Sequence, residues 1–184
     1  MTMKAALLLA LLIVPPLAAA HDLPIGHPLP PVVIDECGEM VLEHDDIHLR
    51  PWSSARFAGK VRVVQYIAGR RSAKKQNSPL IKAIKAARFP GDRFQPTTIV
   101  NTDDELFGSG FIVRAKIAKN QRRYPWAQFV IDCQGTGAKT WRLQQQSSTI
   151  IVLDKQGRVR WFKDGALTPQ EVAQVMSLID RLIR

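Results

Sequence analysis

The stretch GKVRVVQYIAGRRSAKKQNSPL, residues 59–80, decides the fold class of this chain. Val61 to Ile67 is strongly β-forming and mostly apolar, as expected for a central strand that is covered on both faces. A short basic loop follows, and then a helix for which Ser78 is the expected N-cap and Pro79 the first residue. The stretch therefore predicts a buried strand that leads through a loop without cysteine into a helix.

Strands and helices alternate over the rest of the chain, which favours an α/β fold with crossover connections and some parallel strand pairing. The final helix is predicted to start at a capping box, Thr168 to Glu171. The last two predicted strands form a hairpin that adds an antiparallel edge to the sheet. The predicted strands after the central one cover residues 97–101, 127–132, 149–154 and 158–163, with a further helix over residues 109–123.

An N-terminal hairpin is predicted ahead of the central strand. Residues 32–35 and 39–42 flank a turn at Cys37 and Gly38, and the polar residues 44–57 are predicted to be irregular. The pattern as a whole predicts an α/β fold of three layers, with a mixed central sheet and an N-terminal hairpin extension.

The N-terminus has the composition of a secretory signal peptide. Lys4 is followed by an apolar run over residues 5–14 and by three alanines that end at Ala20, just before His21. This run is shorter than the roughly 20 apolar residues that a membrane-spanning helix needs. We therefore expect cleavage between Ala20 and His21, a single domain over residues 21–184, and a periplasmic location without a membrane anchor.

The formal net charge of +10 makes this a basic protein. In a cytoplasmic protein such a charge would suggest nucleic acid as the partner, but the predicted export argues against it. A solvated basic face is the favoured interpretation. The alternative is an anionic partner such as a phosphorylated metabolite, an envelope polymer or a phospholipid head group.

The chain has two cysteines, Cys37 and Cys133, in similar turn contexts. Two free turn cysteines are the favoured interpretation and a structural disulfide is the next, since a bridge can persist in an oxidising compartment. A catalytic pair ranks last, because the spacing is not that of a CxxC motif and no activating group lies beside either residue.

Parts of the quoted stretch resemble thioredoxin-like proteins of the TlpA and peroxiredoxin branches. Gly59-Lys60-Val61 is similar to the start of their central strand, and Ala68 to the alanine before their active-site loop. In those families the second cysteine of CxxC lies five residues before a helix proline. Counted back from Pro79, Lys74 takes the place of the second cysteine and Arg71 that of the first.

A second departure from these families is at Ser148, which stands where they carry a cis-proline beside the active site. A cis peptide before a residue other than proline costs about 2.5–4 kcal/mol, so a trans bond is expected there. The resemblance thus implies a thioredoxin-like fold. Thiol redox catalysis is not expected at this place, because arginine and lysine supply no thiolate.

A narrower resemblance rests on segments spread over the whole mature chain, namely residues 59–63, 67–70, 98–104, 124–126, 152–155 and 163–168. In these segments the chain resembles the YtfJ family of exported bacterial proteins. The resemblance implies a periplasmic protein with a thioredoxin-like fold and a molecular role that is not established.

The residues that replace the CxxC motif form the main candidate site. Arg70, Arg71, Ser72, Lys74 and Lys75 bring four positive charges to a helix N-terminus, where free N–H groups and the helix dipole favour anions. With Ser148 nearby, they predict a degenerate thioredoxin site that binds an acidic peptide or an anionic small molecule. The alternative is that they are solvated loop side chains.

Two weaker candidates remain. Asn101, Asp103 and Asp104 follow a strand end and suit either a hard cation or, as the favoured interpretation, an Asx turn. His21, as the first residue after cleavage, would offer its α-amino and imidazole nitrogens to Cu(II), although most chain ends are flexible.

The sequence therefore predicts a binding protein without catalytic activity and without a cofactor. Its partner would be an envelope protein, a peptide or an anionic ligand, and nucleic acid is not expected. The alternative function is a redox-linked or metal-dependent enzyme that uses Cys37 and Cys133 or a metal at His21.

Overall fold

A computed structural model describes residues 23–44, 46–105 and 110–184. The predicted signal peptide, its cleavage point and His21 lie outside these residues. The described strands are β1 (Val33–Glu43), β2 (Asp46–Ser53), β3 (Val61–Ala68), β4 (Phe94–Asn101), β5 (Gln128–Asp132), β6 (Ser148–Leu153) and β7 (Val159–Asp164). The described helices are α1 (Arg71–Gln76), α2 (Ser78–Ala87), α3 (Gly110–Arg123), α4 (Thr136–Trp141) and α5 (Pro169–Ile183).

The strands form one seven-stranded sheet in the order β2-β1-β5-β4-β3-β6-β7. β3 runs parallel to β4 and β4 parallel to β5, and the other pairs are antiparallel. Every residue of β3 is buried, as expected for a central strand with both faces covered. The predicted α/β fold with a mixed sheet is confirmed.

Helices and loop segments cover the two faces of this sheet. On one face, alternate residues of β3 such as Val63 pack with α2 and α5, and Ile117 of α3 packs beside them against β5. On the other face, Val64 and Tyr66 pack with Trp141 of α4 and with Trp52. The core is therefore divided by the sheet into two layers. None of the helices within the described ranges is long and apolar enough to cross a bilayer.

The N-terminal hairpin exists, but the prediction of its turn at Cys37 and Gly38 is wrong. β1 runs through both residues with a bulge between Ile34 and Glu39, and the chain reverses after Glu43 into β2. Gly38 has a φ of +92°, and a Cβ there would lie 2.2 Å from the carbonyl oxygen of Arg50. The glycine is thus required by the close approach of β2, and residues 46–53 are a strand rather than irregular chain.

The helix after β3 is broken into α1 and α2 at Asn77, which replaces the predicted Ser78 as the N-cap. Asn77 is buried, and its Nδ2 donates to the carbonyl oxygen of Gly165 at 3.0 Å. Its Oδ1 accepts from the backbone N–H of Leu167 at 3.0 Å. The break therefore ties these helices to the loop before α5.

Candidate functional site

The carboxyl ends of the parallel strands β3, β4 and β5 meet at one edge of the sheet, where open α/β sheets usually bind ligands. A cleft of about 210 Å³ opens at this edge, and we call it the edge cleft. Its lining includes Tyr66 and Ala68 of β3, Asn101, Asp103 and Asp104 at the end of β4, Lys139 of α4, and Ser147 before β6.

Arg70 and Asp104 form an ion pair beside this cleft. Arg70 is the N-cap of α1, and its Nε and Nη2 lie 3.1 and 3.0 Å from Oδ1 of Asp104. The other carboxylate oxygen of Asp104 accepts from the backbone N–H of Gln146. Asp104 therefore links the start of α1 to the loop before β6, and it neutralises one of the four predicted cations.

The other residues of the predicted cluster are separate from this pair. Arg71, Ser72, Lys74 and Lys75 are exposed on α1, whose only buried residue is Ala73. Arg71, Lys74 and Lys75 carry no ion pair with any described residue. Three of the four predicted cations therefore have no ion-pair partner in the part of the chain that the structure describes.

Ser148 lies inside the protein rather than in the edge cleft. It is fully buried, and its Oγ accepts from Nδ2 of Asn77 at 3.0 Å and from Nε2 of Gln65 at 3.3 Å. Its backbone N–H donates to Oε1 of Gln76 at 2.9 Å. Ser148 thus fixes the start of β6 to the end of α1, and the peptide bonds in the described ranges are all trans.

Gln76 and Asn77 are site-supporting residues that the sequence reasoning missed. The Oε1 of Gln76 also accepts from the hydroxyl of Ser147, which lines the cleft, at 3.1 Å. The available signal was two amide side chains at a helix break just before Pro79. Amides at such a break have both donors and acceptors to bind a neighbouring strand.

The trio Asn101, Asp103 and Asp104 comes together in the edge cleft. Oδ1 of Asn101 accepts from the backbone N–H of Asp103 at 3.0 Å, which is an Asx turn. Oδ2 of Asp103 lies 3.5 Å from Nζ of Lys139. Within the three described ranges, no three His, Cys, Asp or Glu residues are grouped so that they could hold a metal ion. The lining of the cleft is polar and includes both acidic and basic side chains.

A buried tyrosine and aspartate support the wall of the cleft. Tyr66 donates its hydroxyl proton to Oδ2 of Asp132 at 2.8 Å and accepts from the backbone N–H of Ala138 at 3.0 Å. The carboxylate of Asp132 also accepts from the N–H groups of Thr136 and Gly137 at 2.9 and 2.7 Å. Burial first, and the nearby carboxylate second, raise the pKa of Tyr66 above its usual range. These bonds fix the start of α4.

Cys37 and Cys133 are joined in a disulfide, with their Cα atoms 6.1 Å apart, so the free thiols favoured by the sequence are absent. The cause is strand pairing, because β1 and β5 pair antiparallel with Gly38 opposite Ile131. This pairing brings Cys37 of β1 and Cys133, just after β5, together across 96 residues of sequence. The bridge ties the N-terminal hairpin to the segment between β5 and α4.

Comparison with known proteins places the chain in a family. Residues 23–182 match the family described as "Bacterial protein of unknown function (YtfJ_HI0045)". The chain belongs to the YtfJ family. It is 50% identical to the uncharacterized protein YtfJ of Escherichia coli strain K12 over 100% of both chains. It is 41% identical to an uncharacterized protein of Haemophilus influenzae strain Rd over 90% of each chain.

Solved structures similar to this YtfJ-family chain share its fold at low identity. One is a candidate thiol:disulfide interchange protein DsbE from Chlorobium tepidum, with a TM-score of 0.60 and 14% identity over 89% of this chain and 100% of that one. Another is a thiol-disulfide isomerase from Corynebacterium glutamicum, with a TM-score of 0.56 and 18% identity over 84% and 96%. The predicted thioredoxin-like fold is confirmed.

Proposed function

We propose that this YtfJ-family protein is an exported binding protein without thiol catalysis, which holds an acidic peptide or a small anion where α1 meets the edge cleft. One observation carries the proposal. At the positions of the two redox cysteines in similar proteins the chain has Arg71 and Lys74, and both are exposed with no ion pair to a described residue.

The charges of α1 support an anionic ligand. Arg70 is neutralised by Asp104, but Arg71, Lys74 and Lys75 are exposed and form no ion pair with any described residue. An arginine binds a carboxylate or phosphate through two parallel hydrogen bonds. Exposed side-chain amides of Gln144 and Gln145 on the cleft lining supply neutral donors and acceptors for the same ligand.

The size of the cleft supports a small ligand or the end of a peptide. Its volume is about 210 Å³. Sites for drug-sized molecules have volumes of about 300–1,000 Å³. An acidic side chain or a chain terminus therefore fits the cleft better than a large cofactor does.

The disulfide supports the proposed periplasmic location. Bridges such as Cys37–Cys133 form and persist in oxidising compartments and are rare in the cytosol. The intact mass of the secreted protein would test the proposed cleavage after Ala20 directly.

The alternative of a redox enzyme that uses Cys37 and Cys133 is not favoured. Both sulfurs are in one bridge, and Cys37 is 6% exposed within an apolar cluster that includes Met40 and Ile67. A reactive cysteine needs an electropositive and partly exposed environment. The alternative of a metal at His21 concerns a residue outside the described ranges and stays a prediction.

The proposal is tested by calorimetric titration with a short peptide rich in Glu and Asp and with its Gln and Asn counterpart. We expect the acidic peptide to bind and its neutral counterpart not to bind. The double variant Arg71→Glu/Lys74→Glu should lose at least about tenfold in affinity, because two side chains that attract the acidic peptide are replaced by two that repel it.

The matched control is Lys155→Glu/Arg158→Glu, which makes the same change in net charge at the turn between β6 and β7. This control should bind the acidic peptide like the wild type. Equal losses in the two double variants, or no binding of the acidic peptide and of inorganic phosphate to the wild type, would contradict the proposal. Native mass spectrometry of protein purified from the producing cell would then identify any ligand that it retains.

A further inference from the structure

Helix α3 presents an unusually basic face to solvent. Residues 110–127 include five basic residues and no acidic residue. Ile112, Lys116, Lys119 and Arg123 recur at intervals of four, three and four residues, which places them in one stripe along the helix. All four are exposed. At 1.5 Å per residue this stripe is about 16 Å long.

Large apolar side chains lie on the same segment. Phe111 is 85% exposed, Ile112 52% and Trp126 47%. Six large apolar side chains are exposed among the described residues. Three of these six lie within the 16 positions from Phe111 to Trp126. The helix is held to the sheet by its opposite side, where Ile117 and Gln121 are buried. The exposed apolar residues are therefore not needed for the core.

Helix α2 extends this surface past the end of α3. Nζ of Lys85 lies 3.8 Å from the ring centre of Tyr124, and the guanidinium of Arg123 lies 5.6 Å from it. The ring of Tyr124 meets that of Trp126 edge to face at 6.0 Å. A hydrogen bond to Lys85, and then the charges of Lys85, Arg123 and Lys74, lower the pKa of Tyr124. Two cations and two aromatic rings thus lie together where α2 meets the segment just after α3.

We infer that this surface, which we call the α3 face (Phe111, Ile112, Lys116, Lys119, Arg123 and Trp126), docks on a membrane rich in anionic phospholipid without spanning it. At such a surface the cations of α3 would bind anionic head groups, and the exposed apolar side chains among them would enter the boundary of the acyl chains. Tryptophan and tyrosine favour the level of the head groups. Cations alone would fit any polyanion, and the exposed Phe111 and Ile112 favour a surface with an apolar interior.

The inference does not depend on the edge cleft, because no residue of the α3 face lines that cleft. It is tested by sedimentation of the mature protein with vesicles of phosphatidylcholine and phosphatidylglycerol in a 3:1 ratio, and with pure phosphatidylcholine. We expect binding to the anionic vesicles that weakens at high salt. Each basic residue near such a surface raises affinity about fivefold, so Lys116→Glu/Lys119→Glu should lose at least about tenfold.

Two further variants separate membrane docking from general attraction between charges. The control Lys155→Glu/Arg158→Glu should keep most of the binding, because its charges change on another part of the surface. Phe111→Ser keeps the net charge and should still lose several-fold, because the ring no longer enters the bilayer. Circular dichroism verifies that each variant is folded.

Several results would overturn the inference. These are no sedimentation with anionic vesicles at low salt, equal losses in the two charge-reversal variants, or Phe111→Ser that binds like the wild type. The last result would assign the α3 face to a soluble polyanion such as an acidic protein. Acidic-peptide binding by Lys116→Glu/Lys119→Glu is a separate measurement. It should equal that of the wild type if the proposed function is right, whether or not the membrane inference fails.

Discussion

At the scale of single residues, the wall of the edge cleft depends on one buried carboxylate. Asp132 is fully buried, and a buried charge costs free energy unless its oxygens are hydrogen-bonded. Its partners are two backbone N–H groups of α4 and the hydroxyl of Tyr66, which also accepts from Ala138. The hydroxyl of Tyr66 therefore stabilises the wall of the cleft through hydrogen bonds inside the protein.

We predict that Tyr66→Phe lowers the free energy of unfolding at pH 7 by about 1–3 kcal/mol, because the buried carboxylate of Asp132 loses one of its three donors and the N–H of Ala138 loses its acceptor. The raised pKa of Tyr66 means that the folded state holds this proton more tightly than the unfolded state. Its contribution is fully present below the ordinary tyrosine pKa of about 10 and is lost as pH rises towards the folded value. Urea denaturation of both proteins from pH 7 to 11 should show the difference shrinking above pH 10.

The matched control for this variant is Tyr124→Phe, since the phenol of Tyr124 lies at the surface beside Lys85. This change should alter the free energy of unfolding by less than about 0.5 kcal/mol. Equal effects of the two substitutions would show that the bond between Tyr66 and Asp132 does not stabilise the fold.

At the scale of elements, α4 and α5 differ in where their N-terminal caps come from. The Oγ1 of Thr168 accepts from the N–H of Glu171 at 3.2 Å, and Oε2 of Glu171 accepts from the N–H of Thr168 at 2.7 Å. This capping box is local, and it was predicted from the sequence and is confirmed. Helix α4 follows Gly135, which offers no side chain, and its N–H groups are bound by Asp132 and Tyr66 on the strands.

We predict that Thr168→Ala lowers the free energy of unfolding by about 1 kcal/mol, because an N-cap hydroxyl is lost. Thr168→Ser keeps that hydroxyl and should retain most of the stability. Chemical denaturation of the three proteins measures the difference. A serine variant as unstable as the alanine variant would mean that packing of the threonine methyl group, and not the cap, matters at this position.

Features with local causes could be predicted from the sequence, and features with long-range causes could not. The strands β4 to β7 were predicted to within a few residues, because β-branched runs and turn residues are local signals. The turn of the first hairpin was placed wrongly, since the need for Gly38 comes from Arg50 on the next strand. Helix α4 was missed for the same reason.

The candidate site shows the same limit. Asn101, Asp103 and Asp104 were predicted at the carboxyl end of a strand, and the structure places all three in the cleft. The ion pair between Arg70 and Asp104 joins residues 34 apart, and no local pattern marks it. Charge runs give the number of cations but not which of them are already neutralised.

At the scale of the whole molecule, the positive charge is concentrated in two segments of the chain. Residues 69–90 include seven basic and no acidic residues, and residues 110–127 include five and none. These segments form α1, α2 and α3, and the cores under α2 and α3 lie on the same face of the sheet. The basic surfaces of α2 and α3 are therefore on one side of the molecule, whereas Tyr66 and α4, which line the edge cleft, pack on the other face of the sheet.

The disulfide acts at this same scale, because it joins the N-terminal hairpin to the central sheet across 96 residues of sequence. A bridge that closes a loop of this length restricts the unfolded chain and is worth about 4–5 kcal/mol in the chain-entropy model. We predict that Cys37→Ser/Cys133→Ser loses about 2–5 kcal/mol of unfolding free energy. In urea denaturation, a reductant should lower the unfolding free energy of the wild type to that of this variant and should leave the unfolding free energy of the variant unchanged. If the wild type is equally stable with both thiols reduced, pairing of β1 with β5 and not the bridge holds the hairpin in place.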